Sequence, residues 1–470
     1  MSQIKFGTDG WRAAIAEDYT FENVRIVTQA VAEWFKTTER AQKGMIVGYD
    51  TRFASEHFAA ATAEVLAANE IHVRLTDNFL PTPALSYAII EQQAGAGVMI
   101  TASHNPATDN GYKVKPYYGG SASPEIIAQI EQRLGQTPPK RLSLAQAKTQ
   151  GLVETFDGTA GYLQQLARIV DLEAIRQSEL SIIADPMYGT GQGFYPKLLS
   201  PGTVSVAQIN GERNPIFPGM HNPEPIAKNL GKLMNLMRDT QSDLGIANDG
   251  DADRVGIVDE NGRFVNQLEV FGLLALYLLE VKKERGLIVK SLSTTSMVDK
   301  LGQLYNVPVF ETPVGFKNIA PKMMTENAII GGEESGGFAF RGHIPERDGV
   351  LSGLFIAEMM LKLGKTASGL LEFLFEKVGP HFYDRTDLTF DQAKRAQILE
   401  RIKAHPPQDL AGDKVVKIRD DDGFKYYSQD GSWLLIRFSG TEPIMRVYTE
   451  TTAQEKVQRI LEQGRALTGI

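Results

Sequence analysis

The sequence predicts an α/β fold in which three similar units face one cleft, followed by a smaller α+β domain. Three observations carry that expectation. A short β-branched run, a turn and a helical stretch occur in that order three times; a second apolar run ending in a polar loop follows each; and the tail changes to strand-like runs separated by Asp-Gly turns.

The first runs are 45-MIVGYDTR-52, 181-SIIADPMYGTG-191 and 287-LIVKSLSTTS-296. Each reads as a strand buried on both faces and feeding a helix, the pattern of a parallel sheet. The second runs are 97-GVMITASHNP-106, 244-LGIANDGDADR-254 and 327-NAIIGGEESGG-337. Ligands of open α/β sheets bind outside the carboxyl ends of strands, so these loops are the expected ligand sites. In the tail, 414-KVVKIRDDDGFKYYSQDGSWLLIRFSGTEPIMRVYTE-450 and the helical 452-TAQEKVQRILEQGRAL-467 read as an α+β domain. The expected domains are 1–155, 156–257, 258–373 and 374–470.

Bulk properties narrow the function. The 470 residues, 42% hydrophobic and 23% charged, suit several packed globular domains. A net charge of −8 disfavours a nucleic-acid partner, although local Arg and Lys can still hold small anions. With no cysteine, disulfides, thiolate zinc sites and a cysteine nucleophile are excluded together. The amino-terminal MSQIKFGTDGWR does not read as a secretory signal, and 270-VFGLLALYLLEV-281 is too short to span a bilayer. A cytoplasmic protein with no membrane partner is expected; no pattern indicates an oligomeric state.

In 248-NDGDADRVGIVDE-260, Asp249, Asp251 and Asp253 alternate, so an extended backbone would point all three carboxylates to one side. Packed together they repel unless a hard cation neutralises them, and a few carboxylates with room for phosphate favour magnesium over calcium. A solvated acidic turn is the bland alternative. An EF-hand is another, since these residues and Glu260 fall at its first, third, fifth and twelfth positions, but Arg254 stands where its glycine belongs and the flanks look like strands.

Ser103 and His104 are adjacent in 99-MITASHNPATDNGYKV-114. Neighbours on an extended segment point to opposite faces, and the G-x-S-x-G elbow of hydrolases is missing. A simple Asn-Pro turn is the bland reading. A serine within reach of magnesium and of Lys113 suits a phosphoryl group better than an acyl group. In 332-GEESGG-337, Glu333 and Ser335 can hydrogen-bond neighbouring sugar hydroxyls, against an ordinary glycine turn. In 437-RFSGTEP-443, Arg437, Ser439, Gly440 and Thr441 make an anion cradle, against a hairpin turn.

TASHNP, DGDADR, GEESGG and RFSGTEP, in this order and spacing and across essentially the whole chain, resemble the α-D-phosphohexomutase superfamily of phosphoglucomutases and phosphomannomutases. The resemblance implies a four-domain architecture: three related α/β domains with mixed, mostly parallel sheets and a C-terminal α+β domain around a central cleft. It implies Ser103 as phosphoryl carrier and magnesium on Ser103, Asp249, Asp251 and Asp253. Sugar hydroxyls would fall to Glu333 and Ser335, and the non-reacting phosphate to Arg437, Ser439, Gly440 and Thr441. Arg12, in 7-GTDGWR-12, Lys113 and His104 fall near the phosphoserine, and Arg254 follows the metal loop. Gly315, Phe316 and Lys317 match a sugar-reading loop. Gly337 stands where bacterial phosphomannomutases often carry histidine; His343 and Arg347, in 342-GHIPERDG-349, look more like the phosphoglucomutase stretch and become candidates. Lys113 is the first choice for moving the proton, provided cationic neighbours lower its pKa.

The expected reaction is reversible phosphoryl transfer between O1 and O6 of a hexose phosphate, glucose preferred, through phosphoserine and a glucose 1,6-bisphosphate intermediate or activator. A phosphomannomutase, a dual-specificity mutase and a glucose 1,6-bisphosphate synthase are alternatives. The Gly315–Lys317 element and the HIPERDG stretch argue against a glucosamine phosphate. From other classes, a magnesium-dependent sugar phosphatase would let water attack the phosphoserine, and a non-catalytic sugar-phosphate-binding protein would not need Ser103.

Overall fold

Residues 4–7, 9–438 and 444–470 are described by a computed structural model in which four sheets follow one another along the chain. The first contains β1 (Trp11–Ala14), β2 (Met45–Tyr49), β3 (Val73–Thr76), β4 (Ala96–Ile100), β5 (Asp109–Pro116) and β6 (Val153–Phe156), in the order β1-β5-β4-β2-β3-β6. The second contains β7 (Ser181–Asp185), β8 (Ser205–Gln208), β9 (Leu244–Asn248), β10 (Val255–Val258) and β11 (Phe264–Val265), in the order β11-β10-β9-β7-β8. The third contains β12 (Ile288–Ser291), β13 (Val309–Thr312), β14 (Ile330–Gly332) and β15 (Phe338–Phe340), in the order β13-β12-β14-β15.

One plan repeats in all three. A central strand (β2, β7, β12) pairs in parallel with the next (β3, β8, β13) and, on its other side, with a third (β4, β9, β14). That third strand turns back into an antiparallel neighbour, β5, β10 or β15. The sheets are therefore mixed: parallel pairings outnumber antiparallel ones in the first and third, and the second has two of each. The serine, aspartate and GEESGG loops occupy one topological position, the turn from the third strand into its antiparallel partner. Every residue of β4 and β9 is buried, which is why those runs are apolar without alternation.

The apolar segment around residue 270 is a buried helix, Gln267–Leu276, started by a reciprocal cap between Asn266 and Glu269. No helix among the described residues is long and apolar enough to cross a membrane. The fourth sheet is antiparallel: β16 (Phe382–Thr389), β17 (Asp409–Leu410), β18 (Asp413–Arg419), β19 (Phe424–Ser428), β20 (Trp433–Phe438) and β21 (Ile444–Thr451), in the order β16-β21-β20-β19-β18-β17. Ile398 and Ile402 of the helix Arg395–Ala404 and Val457, Ile460 and Leu461 of Lys456–Thr468 pack against its apolar side chains.

Strand pairing sets unit limits that differ from those expected. The break at 155 falls inside β6, which pairs with β3; the break at 257 falls inside β10, whose sheet continues to β11; and the break at 373 falls inside the helix Ala367–Val378. Sheet hydrogen bonding, which composition does not reveal, is the reason. The units also share a core: one buried apolar cluster runs from Leu85 and Met99 through Leu274 and Phe338 to Trp433 and Tyr448.

Candidate active site

The β4–β5 loop and the β9–β10 loop meet face to face. Ser103 adopts a left-handed backbone, φ 52°, and its Oγ donates to Asp249 Oδ2 at 2.8 Å. That φ breaks strand alternation, so the adjacent side chains expected on opposite faces in fact approach: Ser103 Oγ lies 3.3 Å from His104 Nδ1. Burial, followed by the positive charges of Arg254, Arg12, Lys113 and Arg52, pushes His104 well below the usual imidazole range. The ring is neutral at pH 7. Arg12 Nη1 donates to Asn105 Oδ1 at 2.7 Å and so lies over the same loop.

Asp249, Asp251 and Asp253 each bring a carboxylate oxygen within 4.8 Å of the others, and all three are buried. The convergence does not come from an extended strand. The segment is the turn of the β9–β10 hairpin, with Ala252 left-handed at φ 56° and its N–H bonded to the Asp249 carbonyl, so a tight turn gathers the three. An EF-hand is ruled out by the flanking strands. Burial, then repulsion from Asp253 and Asp251, pushes the Asp249 carboxyl well above the usual range. Asp251 Oδ1 and Asp253 Oδ1 are buried without a hydrogen-bond partner. Three gathered buried carboxylates, two with an orphaned oxygen and the third bonded to the Ser103 hydroxyl, are a donor set suited to a hard divalent cation.

Lys113 Nζ contacts Asp251 at 2.8 Å, Asp9 at 2.9 Å and Asp253 at 3.2 Å. Burial acts to depress it, but these carboxylates outweigh burial and hold Lys113 above the usual lysine range. The expectation that cationic neighbours lower its pKa is therefore corrected: its nearest partners are anions, and it is a paired ammonium. Arg347 Nη2 contacts Asp9 at 2.5 Å and Asp253 at 2.8 Å, while its Nε reaches Glu346 at 3.2 Å and its Nη1 lies 3.6 Å from Glu333. It joins the first, second and third units around the carboxylates. A Cβ at position 337 would lie 2.3 Å from Arg347 Cδ, so Gly337, the departure noted in the sequence, is what admits this arginine. Arg254 pairs with Glu224 at 3.2 Å beside Asp253.

Gly315 N–H donates to Glu333 Oε1 at 3.0 Å, joining the two elements expected to read the sugar. Burial raises the Glu333 pKa. Phe316 lies under the Arg347 guanidinium at 5.5 Å, Lys317 lines a cavity of about 140 Å³ with Asp9 and Ser121, and Ser335 sits half-buried in the turn after Glu333. His343 does not join this cluster. Its fully enclosed side chain bonds Asp348 at 2.8 Å and packs 6.0 Å from Tyr87 and 6.1 Å from Tyr162, because Asp348 caps the helix Gly349–Leu363 immediately beside it. Arg437, near the end of β20, gives its Nε to Asp422 at 3.0 Å. Ser439, Gly440 and Thr441 lie outside the described residues.

Four family descriptions match in series: phosphoglucomutase/phosphomannomutase alpha/beta/alpha domain I over residues 3–140, domain II over 160–262, domain III over 267–378 and the C-terminal domain over 390–467. A phosphoglucomutase/phosphomannomutase of Thermococcus kodakarensis is 32% identical, with 98% of this chain and 97% of that protein aligned. The chain belongs to the phosphoglucomutase/phosphomannomutase family. A Methanothermobacter thermautotrophicus relative, provisionally named a phosphoglucosamine mutase, is also 32% identical, over 98% of this chain and 96% of that protein. A solved structure from Thermus thermophilus, provisionally named a phosphomannomutase, is 33% identical and superposes over 100% of both chains with a TM-score of 0.87. This member of the α-D-phosphohexomutase superfamily is thus an isomerase acting on hexose phosphates.

Sequence reading missed several residues of this phosphohexomutase site. Arg52, fully buried, donates to the carbonyls of Ser103, Asn105, Pro106 and Asp109 at 2.6–3.0 Å and holds the serine loop. It follows β2, and the carboxyl-end rule could have flagged it. Asp9 and Glu346 were in view in GTDGWR and GHIPERDG. Thr82 Oγ1 donates to Asp251 at 2.6 Å from a helix start that carried no motif.

Gly250 separates the serine and metal loops. A Cβ there would lie 2.4 Å from the Ser103 carbonyl oxygen, a backbone atom held by Arg52 that has nowhere to go. Gly250→Ala is expected to wedge Ser103 away from Asp249. Because a misplacement of about 1 Å at a reacting centre costs about 100-fold, kcat falls by at least that factor while circular dichroism is unchanged. A fully active Gly250→Ala enzyme would mean that Ser103 and Asp249 need not touch.

Proposed function

We propose that the enzyme interconverts hexose 1- and 6-phosphates, glucose phosphates preferred, with Ser103 as phosphoryl carrier. The observation that carries this reading is the 2.8 Å contact between Ser103 Oγ and Asp249, one of three convergent buried carboxylates. Phosphorylated Ser103 gives its phosphoryl group to the free hydroxyl of a bound hexose phosphate: the P–Oγ bond breaks, a P–O bond to the sugar forms, and the hydroxyl proton ends on the freed Ser103 oxygen. The bisphosphate then turns over, and its other phosphate returns to Ser103 Oγ.

Arg12, Arg254 and Lys113 supply positive charge around the transferring group, and phosphoryl transfer is mainly such positioning and stabilisation. His104, neutral beside Oγ, orients the hydroxyl. Magnesium on Asp249, Asp251, Asp253 and the Ser103 oxygen would neutralise charge on the phosphoryl group. Glu333 and Ser335 meet sugar hydroxyls, Gly315–Lys317 and Arg347 frame the sugar, and Arg437 with Ser439, Gly440 and Thr441 receives the non-reacting phosphate. Glucose 1,6-bisphosphate primes Ser103. A cytoplasmic setting, with sugar phosphate as the partner, fits the cysteine-free composition.

Glucosamine phosphate is a second reading, favoured by the relative named for that activity at equal identity. A coupled assay with glucose 1-phosphate, mannose 1-phosphate and glucosamine 1-phosphate, each with magnesium and a trace of bisphosphate, decides. Glucose 1-phosphate is expected to give the highest kcat/KM. Preference for glucosamine 1-phosphate would reverse the sugar assignment, and release of inorganic phosphate without isomerisation would make the enzyme a phosphatase.

A further inference from the structure

The fourth unit touches the sugar-reading loops through Asp422, an acidic residue for which the proposed reaction has so far no use. Asp422 lies in the turn 420-DDDG-423 between β18 and β19. Its Oδ1 accepts Arg437 Nε at 3.0 Å, and its Oδ2 accepts the Val314 N–H at 2.7 Å. One carboxylate thus spans the arginine assigned to the non-reacting phosphate and the backbone residue preceding Gly315.

The turn is built against that arginine. Gly423 has φ +97°, and a Cβ there would lie 2.6 Å from the Ile436 carbonyl oxygen and 3.2 Å from Arg437 Cα. Only glycine lets the turn close so tightly on β20, which fixes where the Asp422 carboxylate can reach. Two further ties run the same way. Arg419, just before the turn, bonds the Glu311 carboxylate at 2.9 Å, two residues ahead of Pro313. Glu334, inside GEESGG, accepts Tyr383 Oη at 2.6 Å and pairs with Arg385 at 3.1 Å, both on β16.

We propose that Asp422 is a positioning residue that couples phosphate binding at Arg437 to the sugar-reading loop at Val314–Lys317. The proposal rests on the mutase reading above. The carboxylate holds the guanidinium through Nε and the loop through its backbone, so a phosphate that engages Arg437 acts on the loop position, and a sugar that fits the loop pre-orients Arg437. Selectivity for the sugar and affinity for its far phosphate are then one linked property.

The test measures dissociation constants for glucose 1-phosphate and mannose 1-phosphate by calorimetry on the full chain, in wild type, Asp422→Ala, Asp422→Asn, Arg437→Ala and the Asp422→Ala/Arg437→Ala double variant. Asp420→Asn, at an exposed neighbour, controls for charge. Asp422→Ala is expected to weaken binding about 10-fold, and the double variant to bind no more than about 2-fold worse than Arg437→Ala, because contacting residues do not act additively. Asp422→Asn, which keeps one acceptor, falls between. The ratio of the two sugar constants shifts in Asp422→Ala and not in Asp420→Asn. Multiplicative effects of the two substitutions overturn the proposal, and non-additive effects with an unchanged sugar ratio overturn its link to the loop. A wild type that binds neither sugar phosphate removes the mutase reading and the proposal with it.

Discussion

Ser103→Ala is expected to lower isomerisation of glucose 1-phosphate by at least about 1000-fold, as loss of a nucleophile does, while magnesium still binds. The argument is geometric. Ser103 is buried, its Oγ is hydrogen-bonded to Asp249, and its loop is gripped by Arg52 through four carbonyls, so this hydroxyl is the one held against the carboxylates. Ser103→Thr keeps the hydroxyl but is expected to restore little. The backbone there sits at φ 52°, and a β-branched side chain resists the left-handed region. Both variants are assayed with added bisphosphate, and mass spectrometry reports whether residue 103 carries a phosphoryl group after incubation. Activity of Ser103→Ala within tenfold of wild type would falsify the carrier role.

How far the site was legible follows from where its information lies. The three loops were visible because each interrupts an apolar run, and a strand buried on both faces leaves an uninterrupted run in the sequence. Their convergence was visible too, since one repeated plan puts each at the carboxyl end of a corresponding strand. The means of convergence were not. Alternation in DGDAD suggested an extended backbone, whereas Ala252 turns left-handed and a hairpin gathers the carboxylates; the same kind of turn at Ser103 brings His104 to 3.3 Å. A positive φ at a non-glycine residue leaves no mark in composition.

Charge partners were the least legible part. Lys113 reads as a base awaiting cationic neighbours, yet Asp9, Asp251 and Asp253 surround it, and Asp9 is remote from the other two in sequence. His343 looked like a site residue because it sits in GHIPERDG, but Asp348 of the same stretch ties it into the seam between Tyr87 and Tyr162. Strand β16 escaped notice for a simpler reason: none of its residues is fully buried, so it has no apolar stripe to read.

Magnesium affinity is expected to fall as pH falls, by about tenfold per pH unit once one carboxyl must lose a proton to bind. The group responsible is Asp249. Burial and then repulsion from Asp253 and Asp251 raise its pKa well above the usual carboxylate range, so in acid it holds a proton that the metal must displace. The sign follows: affinity is full above the raised pKa and lost below it. Asp251 behaves oppositely. Burial acts to raise it, but Lys113 and the Thr82 hydroxyl hold it below the usual range, so it stays ionised and adds no slope at neutral pH. Asp249→Asn is therefore expected to bind magnesium weakly at every pH, without the steep acid limb. Asp251→Asn is expected to lose about 100-fold or more in affinity, since even residues that only orient a ligand cost about 10- to 100-fold, while the limb set by Asp249 remains. Calorimetric titrations from pH 8 to pH 5, in two buffers of different ionisation enthalpy, count the protons released. Proton release that is zero throughout, with an affinity indifferent to pH, would mean that Asp249 is already ionised in the buried cluster. The orphaned oxygens of Asp251 and Asp253 would then have to be satisfied by something other than a cation competing with a proton.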